Sequence, residues 1–316
     1  MKNFIPLILL IWAPATLAQV SLDQVKEAIA TSDRADWTAE RQTIPERLRV
    51  ARLPTRGGSV LDAADWDDSF FDVYREDRDR ETTLPRSFDW RTKDGVSYMS
   101  PVLAQGDCGS CVAMASVATI ESTLNIACGT PERTFDLSEQ YVFSCGGGRC
   151  GAGWRVTQAV SFVSDHGVPD QACLPYAAGD GQDVECARAC ADADSRLVRD
   201  ITWTRPTTGF INVDAIKQGL LQGPLLANMI LFEDLEYYEG GVYRHVTGAQ
   251  LGGHAVVLVG WDDSDSSWIV RNSWGPEWGD GGYFKVAWDD VSLPGRYTWL
   301  FNVASPVDNG ICSSPR

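Results

Sequence analysis

A cysteine and a histidine in this sequence have the placement that nucleophilic catalysis requires. Cys111 directly precedes apolar residues that recur at intervals of three and four over 113–127, so it lies in the first turn of a predicted helix. A helix N-terminus lowers the pKa of a thiol and so favours the nucleophilic thiolate. His254 opens the apolar strand GGHAVVLVGW, whereas His166 and His245 lie in polar, turn-like surroundings. An imidazole in such a strand is either structural or the base of the sulfur.

Two amide side chains can complete such a site. Asn272 follows His254 by eighteen residues, in the segment RNSWG. Its side-chain oxygen can accept a hydrogen bond from one ring nitrogen and hold the other towards the sulfur. Gln105 precedes Cys111 by six residues. Its amide can join the Cys111 backbone N–H in stabilising the oxyanion of a tetrahedral intermediate.

The elements that must position these residues change in character along the chain. A long helix is predicted from Cys111 to a stop at Gly129, a second helix begins with Ser138 as its cap, and a third covers 156–164. Short β-branched or aromatic strands follow, separated by Asp, Ser, Pro and Gly, at 255–261, 267–274 and 281–288. Helices first and strands afterwards predict an α+β protein with a cleft between two halves.

Five motifs together carry a resemblance to a known family. In chain order they are PVLAQGDCGSC, LSEQYVFSC, CGAGW, GGHAVVLVGW and WIVRNSWGPEWGDGGYFKV. From Leu84 to Val286 the chain resembles papain and the cathepsins, and LPRSFDWR is similar to the start of their mature enzymes. His254 also follows Cys111 at the distance typical of this family. The resemblance implies a two-lobed papain-like fold, with a helical N-terminal lobe, a β-barrel-like C-terminal lobe and the active-site cleft between them.

The resemblance also implies the catalytic roles. Cys111 attacks the peptide carbonyl, and His254 shares its proton and later protonates the leaving amine. Asn272 orients His254, and Gln105 completes the oxyanion hole. The chain is therefore expected to be a cysteine protease that acts on polypeptide substrates.

Four further residues are implied to serve the substrate cleft. Gly153 pairs its backbone with an extended peptide, because only a residue without a side chain permits such close approach. Trp154 forms a wall of the specificity pocket, and Gly253 offers its carbonyl to the substrate. Trp274 covers the contact between the histidine and the asparagine and excludes water, a role that is compatible with plain core packing.

The sequence departs from the family pattern in several places. Val112 stands where the family usually has Trp. The segments GGH, CLPY and CARAC are similar to cathepsin B, but residues 177–185 contain no histidine. The two-histidine occluding loop of cathepsin B is therefore absent, and endopeptidase action is favoured. After Trp288 the family pattern around the specificity pocket is not recognisable, so the pocket preference stays open.

The nine cysteines indicate disulfides and one unpaired thiol. Cys108 and Cys111 have the spacing of zinc ligands, yet no second CxxC follows and export favours disulfides, so we expect neither a metal nor a cofactor. The resemblance implies bridges that leave Cys111 free, the last of them by subtraction: Cys108–Cys150, Cys145–Cys186, Cys173–Cys190 and Cys128–Cys312.

Residues 1–18 are typical of a secretory signal peptide. Lys2 supplies the positive start, an apolar run of ten follows, and small residues precede the cleavage point.

A net charge of -16 argues against binding to nucleic acid or anionic membranes. No later stretch reaches eighteen uninterrupted apolar residues, so we expect no stable membrane insertion. We predict a secreted or lysosomal monomer.

Residues 19–83 differ from the rest of the chain. They contain no cysteine, and nine carboxylates lie between Asp62 and Glu81. A charge run of this kind is usually a solvated face, yet Trp66, Phe70 and Phe71 interrupt it and require burial. We therefore expect 19–83 to be an inhibitory prosegment of a peptidase domain at 84–316, with residues 62–83 running through the cleft until they are cleaved.

Two other functions remain compatible with the sequence. A binding or scaffold protein that retains the fold is favoured only by Val112, because Cys111, His254, Asn272 and Gln105 are all present. Acyl transfer to an amine instead of water would use the same thioester intermediate. A comparison of peptide cleavage with amine incorporation separates hydrolysis from acyl transfer.

Overall fold

A computed structural model describes residues 19–40, 58–59, 74–75, 84–131, 135–292, 294–304, 306 and 310–312. The signal peptide predicted at 1–18 and most of the acidic run at 62–83 lie outside these residues. Within the described part, the longer helices precede most of the strands, and the chain has the α+β organisation predicted from its sequence.

The α-helices of the described residues differ widely in length. They are α1 Leu22–Thr31, α2 Cys111–Cys128, α3 Glu139–Gly146, α4 Val156–His166, α5 Ala193–Arg196 and α6 Val213–Leu220. The helix α2 begins at Cys111 and ends before Gly129, whose φ of 61° gives the left-handed cap that glycine adopts without strain. The helix α3 has Ser138 as its cap, because the Ser138 hydroxyl accepts a hydrogen bond from the backbone N–H of Tyr141. Both helix starts agree with the sequence pattern.

The strands form one large sheet and two small pairs. They are β1 Thr38–Ala39, β2 Tyr74–Arg75, β3 Ser87–Asp89, β4 Ile201–Thr204, β5 Ile211–Asn212, β6 Leu225–Phe232, β7 Tyr238–Gly240, β8 Val242–Tyr243, β9 Gln250–Asp262, β10 Ser267–Arg271, β11 Tyr283–Ala287 and β12 Thr298–Val303. The order in the large sheet is β4-β12-β6-β9-β10-β11-β8, with β3 also paired to β9. As far as the described strands show, this sheet is open at β4 and β8, so the expected barrel-like lobe does not close into a ring.

The helix α2 is buried on nearly all sides. It packs against α3 and α4 in the helical half and against β9 and β12 of the sheet. Small residues such as Ala113 and Ala118 permit this close packing. The helix is also long and apolar enough to cross a membrane, but it forms the core between the two halves of this protein. Its first residue, Cys111, is thereby fixed next to the central strand.

The N-terminal segment docks on the rest of the chain. The helix α1 starts with a capping box between Ser21 and Gln24, and β1 pairs antiparallel with β7. Trp37 is 2 % exposed, stacks on Tyr238 and donates from Nε1 to the Arg244 carbonyl at 2.9 Å. The aromatic ring gives the segment the buried anchor that a docked segment needs.

Four disulfide bridges join the described cysteines, and Cys111 carries a free thiol. The bridges link the same pairs that the resemblance implies: Cys108–Cys150, Cys128–Cys312, Cys145–Cys186 and Cys173–Cys190. Cys108 and Cys150 connect the loop before α2 to the CGAGW segment. This bridge holds the loop that carries Gln105 close to the first turn of α2.

Candidate active site

The sulfur of Cys111 lies between α2 and β9. The thiol is fully buried, and its Sγ accepts a hydrogen bond from the backbone N–H of Ala255 at 3.4 Å. Burial raises the pKa of the Cys111 thiol to about 12, while backbone N–H groups of Ala255, Val112 and Ser59 act in the opposite direction. The thiol is therefore held protonated while the site is covered. Val112, the departure from the family pattern, is also completely buried.

The histidine and the asparagine of the predicted site are in direct contact. His254 Nε2 lies 2.8 Å from Asn272 Oδ1, and both residues are buried. Asn272 Oδ1 also accepts from the Ser273 backbone N–H at 2.8 Å, which fixes the orientation of the amide. The Trp274 ring lies 5.2 Å from the imidazole, measured between centroids, and shields the contact from one side. His254 directly precedes Ala255 in β9, and the backbone N–H of Ala255 is the group that contacts the sulfur.

The side chain of Gln105 is fixed beside the same site. Its Nε2 donates to the Cys108 carbonyl at 2.8 Å, and its Oε1 accepts from the Ser273 hydroxyl at 2.6 Å. The backbone carbonyl of Gln105 accepts from the Tyr176 hydroxyl at 2.7 Å. These contacts orient the amide N–H groups next to the first turn of α2. Gln105, Cys111, His254 and Asn272 are thus brought together from three separate segments.

Two residues of the N-terminal segment occupy the cleft above the sulfur. The backbone N–H of Ser59 donates to the Gly253 carbonyl at 3.1 Å, and the Gly58 carbonyl accepts from the Trp154 N–H at 2.7 Å. A Cβ on Gly153 would lie 2.0 Å from the Gly58 carbonyl oxygen, so this approach requires glycine at 153. We call Gly58 and Ser59 the plug. The backbone N–H of Ser59 also acts on the thiol of Cys111, so the plug contributes to covering it.

The plug lies just before the stretch that was expected to run through the cleft. Residues 62–83 were expected to run through the cleft, but the described residues in the cleft are Gly58 and Ser59. Of 62–83 only Tyr74–Arg75 is described, and it pairs in parallel with Ile211–Asn212. The other residues of this stretch lie outside the described part. The passage of residues 62–83 through the cleft therefore stays a prediction.

Trp154 contacts its surroundings mainly with its ring. The residue is 4 % exposed, and its indole lies edge-on to Phe162 and against Gly146. Its backbone N–H, by contrast, reaches the plug. A role of the Trp154 ring as a wall of the specificity pocket stays a prediction.

A buried group of charges lies behind the site. Glu121, Glu139 and Arg271 are each at most 5 % exposed, and Glu139 and Arg271 line a cavity of about 10 Å³ together with Asn272 and Ser273. A cavity of this size has room for about one water molecule. Glu121 accepts from the Leu137 backbone N–H at 2.8 Å, and Arg271 donates to the Ser100 carbonyl at 2.9 Å. Neither carboxylate was identified from the sequence, although Glu121 interrupts an apolar helix face.

These carboxyl groups predict a stability that falls with rising pH. Burial raises the pKa of Glu121 to about 7, and burial together with the charge of Glu121 raises the pKa of Glu139 to about 8. The folded state then keeps protons that the unfolded chain releases, so this contribution is complete below about pH 4.5 and is lost as the pH rises through 7 to 8. The free energy of unfolding of the wild type should fall between pH 5 and 8. In Glu139→Gln we expect this fall to be smaller by on the order of 2 kcal/mol.

Chemical denaturation at pH 5, 6.5 and 8 measures this effect. Glu277→Gln serves as the control, because Glu277 is exposed and its replacement should leave the pH dependence unchanged. An unchanged pH dependence in Glu139→Gln would contradict the assignment of these protons to the buried pair.

Comparison with known proteins identifies the family. The profile described as "Papain family cysteine protease" matches residues 84–293. Cathepsin B-like CP2 from Giardia intestinalis is 37% identical over 210 residues, which are 64% of this chain and 69% of that protein. Ananain from Ananas comosus is 34% identical over 213 residues, which are 66% of this chain and 57% of that protein.

Solved structures share the fold of this chain. The structure titled "proCathepsin B S9 from Trypanosoma congolense" has a TM-score of 0.68 at 23% identity and covers 88% of this chain and 95% of that one. Bromelain from Ananas comosus in complex with the E64 inhibitor has a TM-score of 0.54 at 26% identity and covers 70% of this chain and 100% of that one. The fold and the family motifs define a cysteine peptidase. This chain belongs to the papain family of cysteine proteases.

Proposed function

We propose that this protein is a secreted or lysosomal cysteine endopeptidase, made as a zymogen, that hydrolyses peptide bonds through Cys111, His254 and Asn272. The observation that carries the proposal is the hydrogen bond of 2.8 Å between His254 and Asn272, directly beside the residue whose N–H reaches the sulfur. These contacts support the proposal, because acyl transfer by a thiolate requires the nucleophile, the base and the orienting group to lie close together.

The contacts of the imidazole assign its two nitrogens. Nε2 faces Asn272, so proton exchange with the sulfur falls to Nδ1. With the plug removed, water and peptide reach the sulfur, and the proton of the Cys111 thiol moves to Nδ1. The thiolate attacks the substrate carbonyl, and the imidazolium then gives its proton to the leaving amine. Water hydrolyses the resulting thioester and regenerates the thiol.

The oxyanion of the tetrahedral intermediate needs hydrogen-bond donors. Gln105 Nε2 carries two hydrogens, of which one is directed to the Cys108 carbonyl. The other, with the backbone N–H of Cys111 at the start of α2, serves the oxyanion in this proposal. Ser273 holds the amide in the required orientation through Oε1.

Replacing Gln105 tests this role. Gln105→Glu keeps the size of the side chain but removes both donor hydrogens, and we expect kcat for peptide hydrolysis to fall about 100-fold with little change in KM. Gln182→Glu, on an exposed loop position, is the matched control. A change confined to KM would show that Gln105 binds the ground state instead.

The plug indicates where a peptide binds. Backbone groups of Trp154 and Gly253 on the two sides of the cleft bond to Gly58 and Ser59, and a substrate can use the same groups. Gly153 leaves room for it, and Trp274 shields the histidine. The absence of histidine at 177–185 favours cleavage within chains over removal of dipeptides from their ends.

The proposed organisation is a signal peptide at 1–18, an inhibitory prosegment at 19–83 and a peptidase domain at 84–316. The docking of α1, Trp37 and the plug supports the inhibitory role. The apolar N-terminus and the four disulfides support export to an oxidising compartment.

Hydrolysis and amine transfer must be assayed on one preparation. The chain freed of residues 19–83 should cleave internal bonds of unfolded protein substrates, and Cys111→Ala should show no cleavage above background. Incorporation of an added primary amine at a rate similar to hydrolysis would favour the acyl-transfer alternative. Binding of peptides without turnover by the wild-type chain would favour the scaffold alternative.

A further inference from the structure

Asn228 is a buried polar residue in an otherwise apolar strand. The sequence of β6 is LLANMILF, and Asn228 is 7 % exposed. A buried amide destabilises the protein unless its polar atoms are hydrogen-bonded, whereas Val or Ile would suit this strand without that requirement. An amide at this position therefore indicates recognition of a polar partner.

The register of the sheet places Asn228 opposite the residue that contacts the reactive sulfur. Asn228 lies directly opposite Ala255, whose backbone N–H donates to Sγ of Cys111. The backbone N–H of Asn228 donates to the Tyr297 carbonyl at 3.3 Å, and this contact fixes β6 at the same point. The amide is thus held on a rigid strand at the edge of the candidate site.

The plug supplies the partner of this amide. The Ser59 hydroxyl lies 2.8 Å from Asn228 Oδ1, and Ser59 is 5 % exposed. Ser59 occupies the path of a peptide, because its backbone N–H bonds to the Gly253 carbonyl in the cleft. Asn228 therefore contacts a side chain of the peptide that fills this part of the cleft.

We propose that Asn228 determines specificity by selecting peptides with a short hydroxyl side chain, Ser or Thr, at the position next to it. The inference rests on the proposed peptidase function and adds a substrate preference to it. A hydroxyl donates to Oδ1 as Ser59 does, whereas an apolar side chain of the same size leaves the buried oxygen without that bond. Sites that hydrogen-bond a substrate hydroxyl discriminate strongly against the analogue that lacks it.

The preference is measured as kcat/KM on the processed enzyme, obtained from the full-length chain by cleavage of its prosegment. Each fluorogenic peptide carries either Thr or the nearly isosteric Val at one of the four residues before the cleaved bond. All four positions are tested, because a peptide that lies in the cleft in either chain direction brings one of these residues past Asn228. We expect Thr to be favoured about 10- to 100-fold at one position. Asn228→Val should abolish or reverse this preference, and Asn302→Val, at an exposed position of β12, should preserve it.

The outcomes separate this inference from the proposed function. Equal rates for Thr and Val at all four positions, or a preference that survives in Asn228→Val, would overturn the role of Asn228 while peptide hydrolysis persists. Failure of the wild-type chain to cleave any of the peptides would refute the proposed function itself.

A double-mutant cycle on the unprocessed chain gives a second readout. Ser59→Ala should raise the residual activity of the full-length chain about tenfold, because the plug loses its side-chain hydrogen bond. In the Asn228→Val background the same substitution should have no further effect, since the partner of the hydroxyl is already gone. Equal effects of Ser59→Ala in both backgrounds would contradict the inference.

Discussion

His254→Ala is expected to lower kcat/KM for peptide hydrolysis by about 10⁴-fold or more. The imidazole takes the proton from Cys111 and returns it to the leaving amine, so its loss removes both the activated nucleophile and the general acid. Binding and the oxyanion contacts remain, and a small residual rate is therefore expected. Kinetics with a fluorogenic peptide on the processed enzyme measure the change.

Replacement of another histidine is the matched control for this experiment. His166 lies at the exposed end of α4 and stacks on Phe162, so His166→Ala should leave kcat/KM within about twofold of the wild type. A loss below tenfold in His254→Ala, with the protein folded, would mean that another group serves as the base.

Gly58→Ala is expected to activate the unprocessed chain. Gly58 has a φ of 99°, and a Cβ at this residue would lie 2.3 Å from the Gly109 carbonyl oxygen. Because that oxygen belongs to the backbone next to the first turn of α2, the clash can be relieved only by moving the plug out of the cleft. We expect residual peptidase activity of the full-length chain to rise about 10- to 100-fold, as measured before any cleavage of the prosegment.

A control must separate the effect of the steric clash from the effect of placing alanine at a positive φ. Gly95 also has a positive φ, 81°, but an added Cβ would meet nothing within 4 Å. Gly95→Ala should therefore leave the unprocessed chain as inactive as the wild type. If Gly58→Ala is equally inactive, the plug is not what blocks the site.

Local sequence patterns predict the position of Cys111 well. The apolar spacing and Gly129 determine both ends of α2, because helix periodicity and the left-handed cap are local properties. The position of His254 in a central strand follows equally from its apolar neighbours. The sequence resemblance, in turn, implies the disulfide pairs that the structure contains.

Features that depend on distant pairing could not be predicted in this way. The open order of the sheet depends on which strands meet, and the position of the plug depends on backbone contacts that leave no side-chain pattern. Asn228 had a local signal, a single polar residue in LLANMILF, but its partner Ser59 is 169 residues away in the chain. Only the three-dimensional contact gives that signal a meaning.

Reaction of the processed enzyme with a haloacetamide at pH 6, followed by mass spectrometry, tests the central claim most directly. We predict a single adduct on Cys111 in the native protein, formed at least about tenfold more slowly in His254→Ala because the imidazolium no longer stabilises the thiolate. Equal rates of labelling in the two proteins, or labelling of Cys111 only after unfolding, would contradict an active site built on this thiol and this imidazole.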